Sequence, residues 1–578
     1  MPHRPPTTRS WRGRAIAPLL AFLAALAPGA SVLASGEVVQ PSRSAVGNYL
    51  AARHAERQRD QSSAARFFEA ALRGEAGNFD IEQRLHAALV AEGDFARALA
   101  TARRIAERSP ANAAAALTLA VDSVARGEWE EAGKRIAEIP LQGVNRLLFP
   151  LLRAWVEAAR GNQAALEAMK PIADMAELRG IVDFHSALVS SLLGRHDDAE
   201  AAFRRVAGAE GGTTPRVAEA FAAFLLARGR DAEARAMLDA AAARDRDSLA
   251  FAMLRAQVEP GGRRPAPVDA RAGFAAALFD VATVLRGEGD GALSMPYARL
   301  ATVLAPADGG ALLLVGDVLD QQKRHADAIA AFGRVPASSP LAWPARLRMA
   351  DGLRELERLD EAMDMLEKMA AERPERIDAL ATKAGILRGK ERFAEAAPVY
   401  DRAVARIASP ERRHWTLFFS RGIAFERSGQ WPKAEADFRK ALDLQPEQPD
   451  VMNYLAYSWV DKGFSEHYDL ALRMLERAVE LRPQSGHIID SLAWALYKLG
   501  RHAEAVPLLE RAVEILPQEA VILDHLGDAF WKVGRRNEAR FQWQRALGAK
   551  PEAELKPVLE RKLRDGLDAV EGEKPRGG

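Results

Sequence analysis

The chain of 578 residues contains no cysteine. That excludes disulfides, thiolate metal ligands, thiol nucleophiles and attachment of a lipid through sulfur. Nor is there an excess of charge of either sign: 80 Lys and Arg stand against 79 Asp and Glu, so the charge balance selects no polyanionic partner such as nucleic acid. No apolar run beyond residue 34 is long enough to span a bilayer. The usual catalytic signatures are missing as well. The 11 histidines form no HExxH or paired spacing for zinc, and there is no GxSxG elbow. The glycines of residues 286–292 (RGEGDGA) lack the Lys-Ser/Thr of a phosphate loop. Catalytic residues, metal ligands and cofactor are all expected to be none.

What is present begins with an address. Arg4, Arg9, Arg12 and Arg14 precede an apolar stretch at residues 15–27, and a run of small residues follows, with Val32 and Ala34 at −3 and −1 of a cleavage site. This is the layout of a secretory signal peptide, residues 1–34. Its apolar stretch rises only about 20 Å as a helix, short of a membrane core of about 30 Å. An uncleaved anchor extending through Leu33 is the alternative. Cleavage removes four arginines and leaves 76 basic against 79 acidic residues, a net charge of −3. A cysteine-free exported chain points to the bacterial periplasm.

The remainder is periodic. Pro306, Pro340 and Pro374 are 34 residues apart, as are Pro483, Pro517 and Pro551, and Gly93, Gly127 and Gly161 keep the same step. Within the unit 520–551, Leu523, Leu526, Gly527 and Phe530 occupy positions 4, 7, 8 and 11, and Ala539, Trp543 and Ala546 occupy 20, 24 and 27. Those spacings put each set on one helical face. Gly534 closes the first helix and Pro551 stops the second. Each unit is therefore an antiparallel helix pair, with small residues at 8, 20 and 27 where backbones approach and bulky ones at 4, 11 and 24 between them. The period predicts about fourteen pairs, starting near 45, 79, 113, 147, 180, 215, 275, 309, 343, 377, 415, 449, 486 and 520. His86 occupies a position 8, Leu166 a position 20, and Lys383 and Arg421 fall at position 7, where apolar residues are expected.

This pattern resembles the tetratricopeptide repeat (TPR) family over nearly the whole mature chain, and the chain is similar to the long exported TPR proteins of alphaproteobacteria. The resemblance implies an all-α solenoid, a right-handed superhelix whose concave groove is lined by the first helix of each pair. The expected organisation is a degenerate N-terminal array (35–258), a Pro/Gly/Arg-rich interruption (259–274) that divides it from a C-terminal array (275–553), a polar-faced capping helix (554–570) and a disordered tail (571–578).

In TPR proteins positions 2, 5, 9, 12 and 13 tend to face the groove. In the last three units the residues falling there are Asn453, Tyr457 and Asp461, then His487, Asp490, Trp494, Tyr497 and Lys498, then Asp524, Asp528, Trp531 and Lys532. Aromatic rings beside short acids suit a peptide with apolar and basic or amide groups, or a sugar chain. A carboxylate clamp of the kind some TPR proteins use would need Lys, Arg and Asn where this sequence has Asp, Trp and Tyr. Two readings stay open: these rings bind a ligand, or they fill gaps between neighbouring first helices. The expected function is a non-enzymatic periplasmic scaffold that binds a protein segment of an envelope partner. The alternative is a carbohydrate-binding component of polysaccharide export or cell-wall handling.

Overall fold

The computed structural model describes residues 40–571 apart from 210–212, 246–247, 260–261, 263 and 288–290. The signal peptide and residues 572–578 of the expected tail lie outside the described residues. Those described form 31 α-helices and four short 3-10 turns, and no strand. First helices at 45, 79, 113, 215, 309, 415, 449, 486 and 520 begin on the residue the period sets, and those at 145, 179, 342 and 378 within two of it. Among the described residues no helix is long and apolar enough to cross a membrane.

Local chemistry sets the boundaries. The side chains of Asn78, Asp94 and Asn112 accept from the backbone N–H groups of Ile81, Arg97 and Ala115, which satisfies donors that a helix start leaves open. At the turn between paired helices the backbone goes left-handed, for example at Gly93 and Gly534. Glycine takes that conformation without steric cost. The capping expected at 554–570 is split: helix Leu555–Asp565 ends at Gly566, with φ +83°, and a short helix Leu567–Glu571 follows.

Packing within a pair matches a small residue at position 8 to a large one at position 24. Gly316 faces Phe332, Gly422 faces Phe438 and Gly527 faces Trp543; a methyl at Gly422 would lie 2.6 Å from the Phe438 ring. Where position 24 is the smaller Leu509, position 8 is Ala493, and both are fully buried. The two cations at position 7 are paired. Arg421 grips Asp437 through two nitrogens at 2.6 and 2.7 Å and reaches Asp401 at 2.9 Å, and Lys383 pairs with Glu367 at 2.7 Å. The register therefore holds there, with ion pairs in place of apolar contact.

The array is not one uniform stack. Two compact units divide between Met365 and Leu366, whereas the sequence placed the division at 259–274. The chain does leave the repeat after helix Leu249–Val258. The next pair then packs back within the first unit. Helix Ala270–Gly287 lies on Asn145–Ala159 and Arg179–Leu192, and Gly291–Leu304 lies on Phe79–Glu92 and Ala113–Ala125. A buried polar network fixes this. Trp155 Nε1 donates to His185 Nδ1 at 2.9 Å, so His185 Nε2 carries the proton it donates to Asp280 at 2.9 Å. Arg216 binds the other oxygen of Asp280. Gly273 lies flat against Trp155, where any Cβ would overlap the ring. Residues 270–304 thus belong with the array before them, not with a separate one starting at 275.

Candidate functional site

In the second unit the first helices Pro449–Asp461, Gly486–Lys498 and Ala520–Lys532 carry all the groove residues expected from the sequence. The structure sorts them into three groups. Asn453 is fully buried, and neither amide atom has a hydrogen-bond partner among the described residues, so it is an interior residue. Tyr457 and Asp461 are half-buried. Burial pushes the Tyr457 phenol well above its ordinary range, and pushes the Asp461 carboxyl up against the opposing pull of Lys498 and Lys462.

The second group is a column of rings. Half-buried Trp494 stacks on His525 with centroids 3.9 Å apart and planes 13° apart, and on Tyr497 at 4.6 Å and 4°. Lys498 is exposed and holds its ammonium 5.1 Å from the Trp494 centroid. His525 Nδ1 lies 2.9 Å from the buried Asp490 carboxylate and donates to it. Burial alone would lower the imidazole pKa; Asp490, with Asp524 and Asp528 behind it, raises it on balance. Nothing in its spacing marks His525 as more than an ordinary polar histidine, yet it underpins Trp494.

The third group is occupied by the chain itself. Lys562, 5% exposed on helix Leu555–Asp565, places its ammonium 2.7 and 2.8 Å from the two oxygens of Asp524 and 2.7 Å from Asp528. The other oxygen of Asp528 accepts from Trp543 Nε1 at 3.0 Å. Beyond Gly566, Trp531 Nε1 donates to Asp568 at 3.0 Å, Tyr497 donates its hydroxyl to Glu571 at 3.1 Å, and Lys532 pairs with Glu571. Gly566 rests on Trp531, where a Cβ would come within 2.6 Å of the indole. The acids that suggested a basic or amide-rich ligand are therefore already engaged: Asp490 pairs with His525, and Asp524 and Asp528 share the one ammonium of Lys562, with burial and Asp524 pushing the Asp528 carboxyl up to about 7. The groups left to meet a ligand are chiefly donors and rings. Sequence reading missed Lys562, Asp568 and Glu571. A signal for the first was available, since Lys562 stands one period of 34 residues beyond Asp528.

Comparison with known proteins agrees with this architecture. Tetratricopeptide-repeat family profiles match residues 89–155 in the first unit and 419–463 and 461–520 in the second. A TPR repeat-containing protein of Pseudomonas aeruginosa is 26% identical over 192 residues, which is 33% of this chain and 31% of that protein. The match thus spans about a third of that curated relative. Among solved structures, YrrB, described as a TPR protein with an unusual peptide-binding site, is similar at 22% identity, 34% of this chain, 97% of its own and a TM-score of 0.27. A tetratricopeptide repeat protein of Parabacteroides merdae is similar at 16% identity, 49% of this chain, 96% of its own and a TM-score of 0.33. Family profiles match in both units, so the chain carries tetratricopeptide repeats at residues 89–155 and 419–520.

Proposed function

We propose that this protein is a non-enzymatic scaffold of the bacterial envelope, exported by residues 1–34, whose second unit holds a segment of a protein partner against its first helices. TPR proteins are in general protein-binding scaffolds. The observation that carries the reading is the ring column Trp494, His525 and Tyr497 with Lys498 above it. Trp494 is half-buried and serves no position-8 or position-24 contact, so an aromatic anchor is offered rather than consumed by the repeat core. The carbohydrate alternative is less well supported, because it needs Asp524 and Asp528 to accept sugar hydroxyl protons and both are tied to Lys562.

Two experiments test the reading. Mass determination of the protein recovered from a periplasmic extract is expected to begin at Ser35; a full-length N-terminus would sink the cleaved-export part. Crosslinking pull-down with wild type and Trp494→Ala is expected to show a protein captured by the first and lost with the second. Equal capture by both would place binding elsewhere.

A further inference from the structure

Building on the reading of the second unit's first-helix face as a protein-binding surface, we infer that residues 566–571 are a tethered occupant of that face. The partner is then an acidic protein segment of the same chemistry that displaces them.

A cap needs only to cover the last repeat, and helix Leu555–Asp565 already does so with buried Leu559 and Lys562. The chain does more. Gly566 reverses it, with φ +83° and its Cα against Trp531, and residues 567–571 return to Tyr497, 74 residues back in the sequence. Leu567 is buried and both carboxylates that come after it reach ring or ammonium donors: Asp568 meets Trp531, and Glu571 meets Tyr497 and Lys532. The pattern recognised is an apolar side chain with carboxylates one and four residues on. Around it the exposed cations Lys498, Arg536 and Arg540 outnumber half-buried Asp461, on whose carboxyl Lys498 pulls. Lys498 stands over Trp494, and Arg536 and Arg540 lie 5.0 and 5.5 Å from the Trp531 ring. An acidic segment meets complementary charge here, and a basic one meets repulsion.

The attachment is also light enough to exchange. Asp568 and Glu571 are exposed, and exposed ion pairs are weakly held. A five-residue helix has no stability of its own. Tethering compensates, since a short linker presents its segment at an effective concentration on the order of millimolar. A free partner must compete with that, so removing the segment raises apparent affinity without adding a contact.

The test uses a fluorescein-labelled peptide, GLDAVEGEKPRGG, matching residues 566–578, and GLNAVQGEKPRGG, in which the two recognised carboxylates become neutral amides. Binding by anisotropy is compared for the full chain, for D568N/E571Q and for a chain ending at Gly566, with circular dichroism confirming that each is folded. The expected result is at least about tenfold tighter binding to both variants than to wild type, with the amide peptide at least about tenfold weaker. Equal binding to all three proteins, or none to the variants, overturns the inference. Sedimentation showing a wild-type dimer that is lost on truncation overturns it too, by placing the segment in a second copy. A photocrosslinker at Lys498 separates tethered competition from the scaffold reading beneath it. Stronger capture of a cellular partner by D568N/E571Q supports the inference. Equal capture by wild type and variant overturns tethered competition but leaves the scaffold reading standing. Capture by neither overturns both.

Discussion

The two units begin from the same helix pair and treat the face of its first helix in opposite ways. In the first, the first helices of four successive pairs are covered by Ala270–Gly287 and Gly291–Leu304, and polar groups such as His185 and Asp280 are buried in a closed network. In the second, the corresponding face keeps half-buried rings, and only its far end is covered, by one buried lysine and a light five-residue segment. A first-helix face is therefore not a binding site by virtue of the repeat. On the reading proposed above, it becomes one where the chain leaves rings and donors without a permanent cover.

The largest expected effect breaks the first unit's cover. Burial pushes the Asp280 carboxyl up, while Arg216 and His185 pull it below its ordinary range on balance. Asp280→Ala strands the buried Nε2–H of His185 and strips half-buried Arg216 of its carboxylate, at a cost of about 3 kcal/mol. Hydrogen exchange should show lost protection in residues before 366 and little change after; uniform loss throughout would mean that the units do not differ in this way.

Two histidines sharpen the contrast by responding oppositely to pH. His86, at position 8 in the first unit, is buried beside Thr118 at 2.9 Å, and burial pushes its pKa down to about 4. Between that value and about 6.5 the unfolded chain binds the extra proton. The first unit's stability thus falls as pH drops through this window, by about 3 kcal/mol at most. His525 in the second unit has a raised pKa, so its contribution is full below its ordinary value and is lost as pH rises through the raised one. Urea unfolding from pH 4 to 8 should show a limb that His86→Gln removes; an unchanged limb would refute the assignment.

A smaller effect belongs to the second unit's core. Gly527→Val drives a side chain into the Trp543 ring, at about 1–3 kcal/mol. Its thermal midpoint should fall while the far-ultraviolet spectrum keeps its helical shape. Last comes Trp494→Ala, which removes two stacked contacts, each worth about 0.5–1.5 kcal/mol beyond the area it buries. Partner capture is expected to vanish while the melting temperature moves by only a few degrees. A drop as large as that of Gly527→Val would make Trp494 a packing residue.

Much of the fold was legible because prolines, turn glycines and small-large pairing repeat every 34 residues, and each acts locally. The start of helix Ala520–Lys532 follows from spacing alone. What covers a face was not legible, because residues 270–304 carry the same apolar periodicity as any other pair and their second set of partners is distant in sequence. At the candidate site the rings were found and the charge was misjudged. Asp524 and Asp528 look like open acids until Lys562 is seen between them, and a lysine on a polar-faced helix is ordinarily in water.

The network joining Trp155 and His185 to Asp280 bears on how the molecule is made. Repeat arrays usually complete themselves neighbour by neighbour as the chain emerges. Here the first helices of the second to fifth pairs stay uncovered until residues 270–304 have been synthesised, and closure then spans 95 residues between His185 and Asp280. Assembly of this unit carries the slow, long-range step of a globular domain, and the interval before it is when the nascent chain most needs a chaperone.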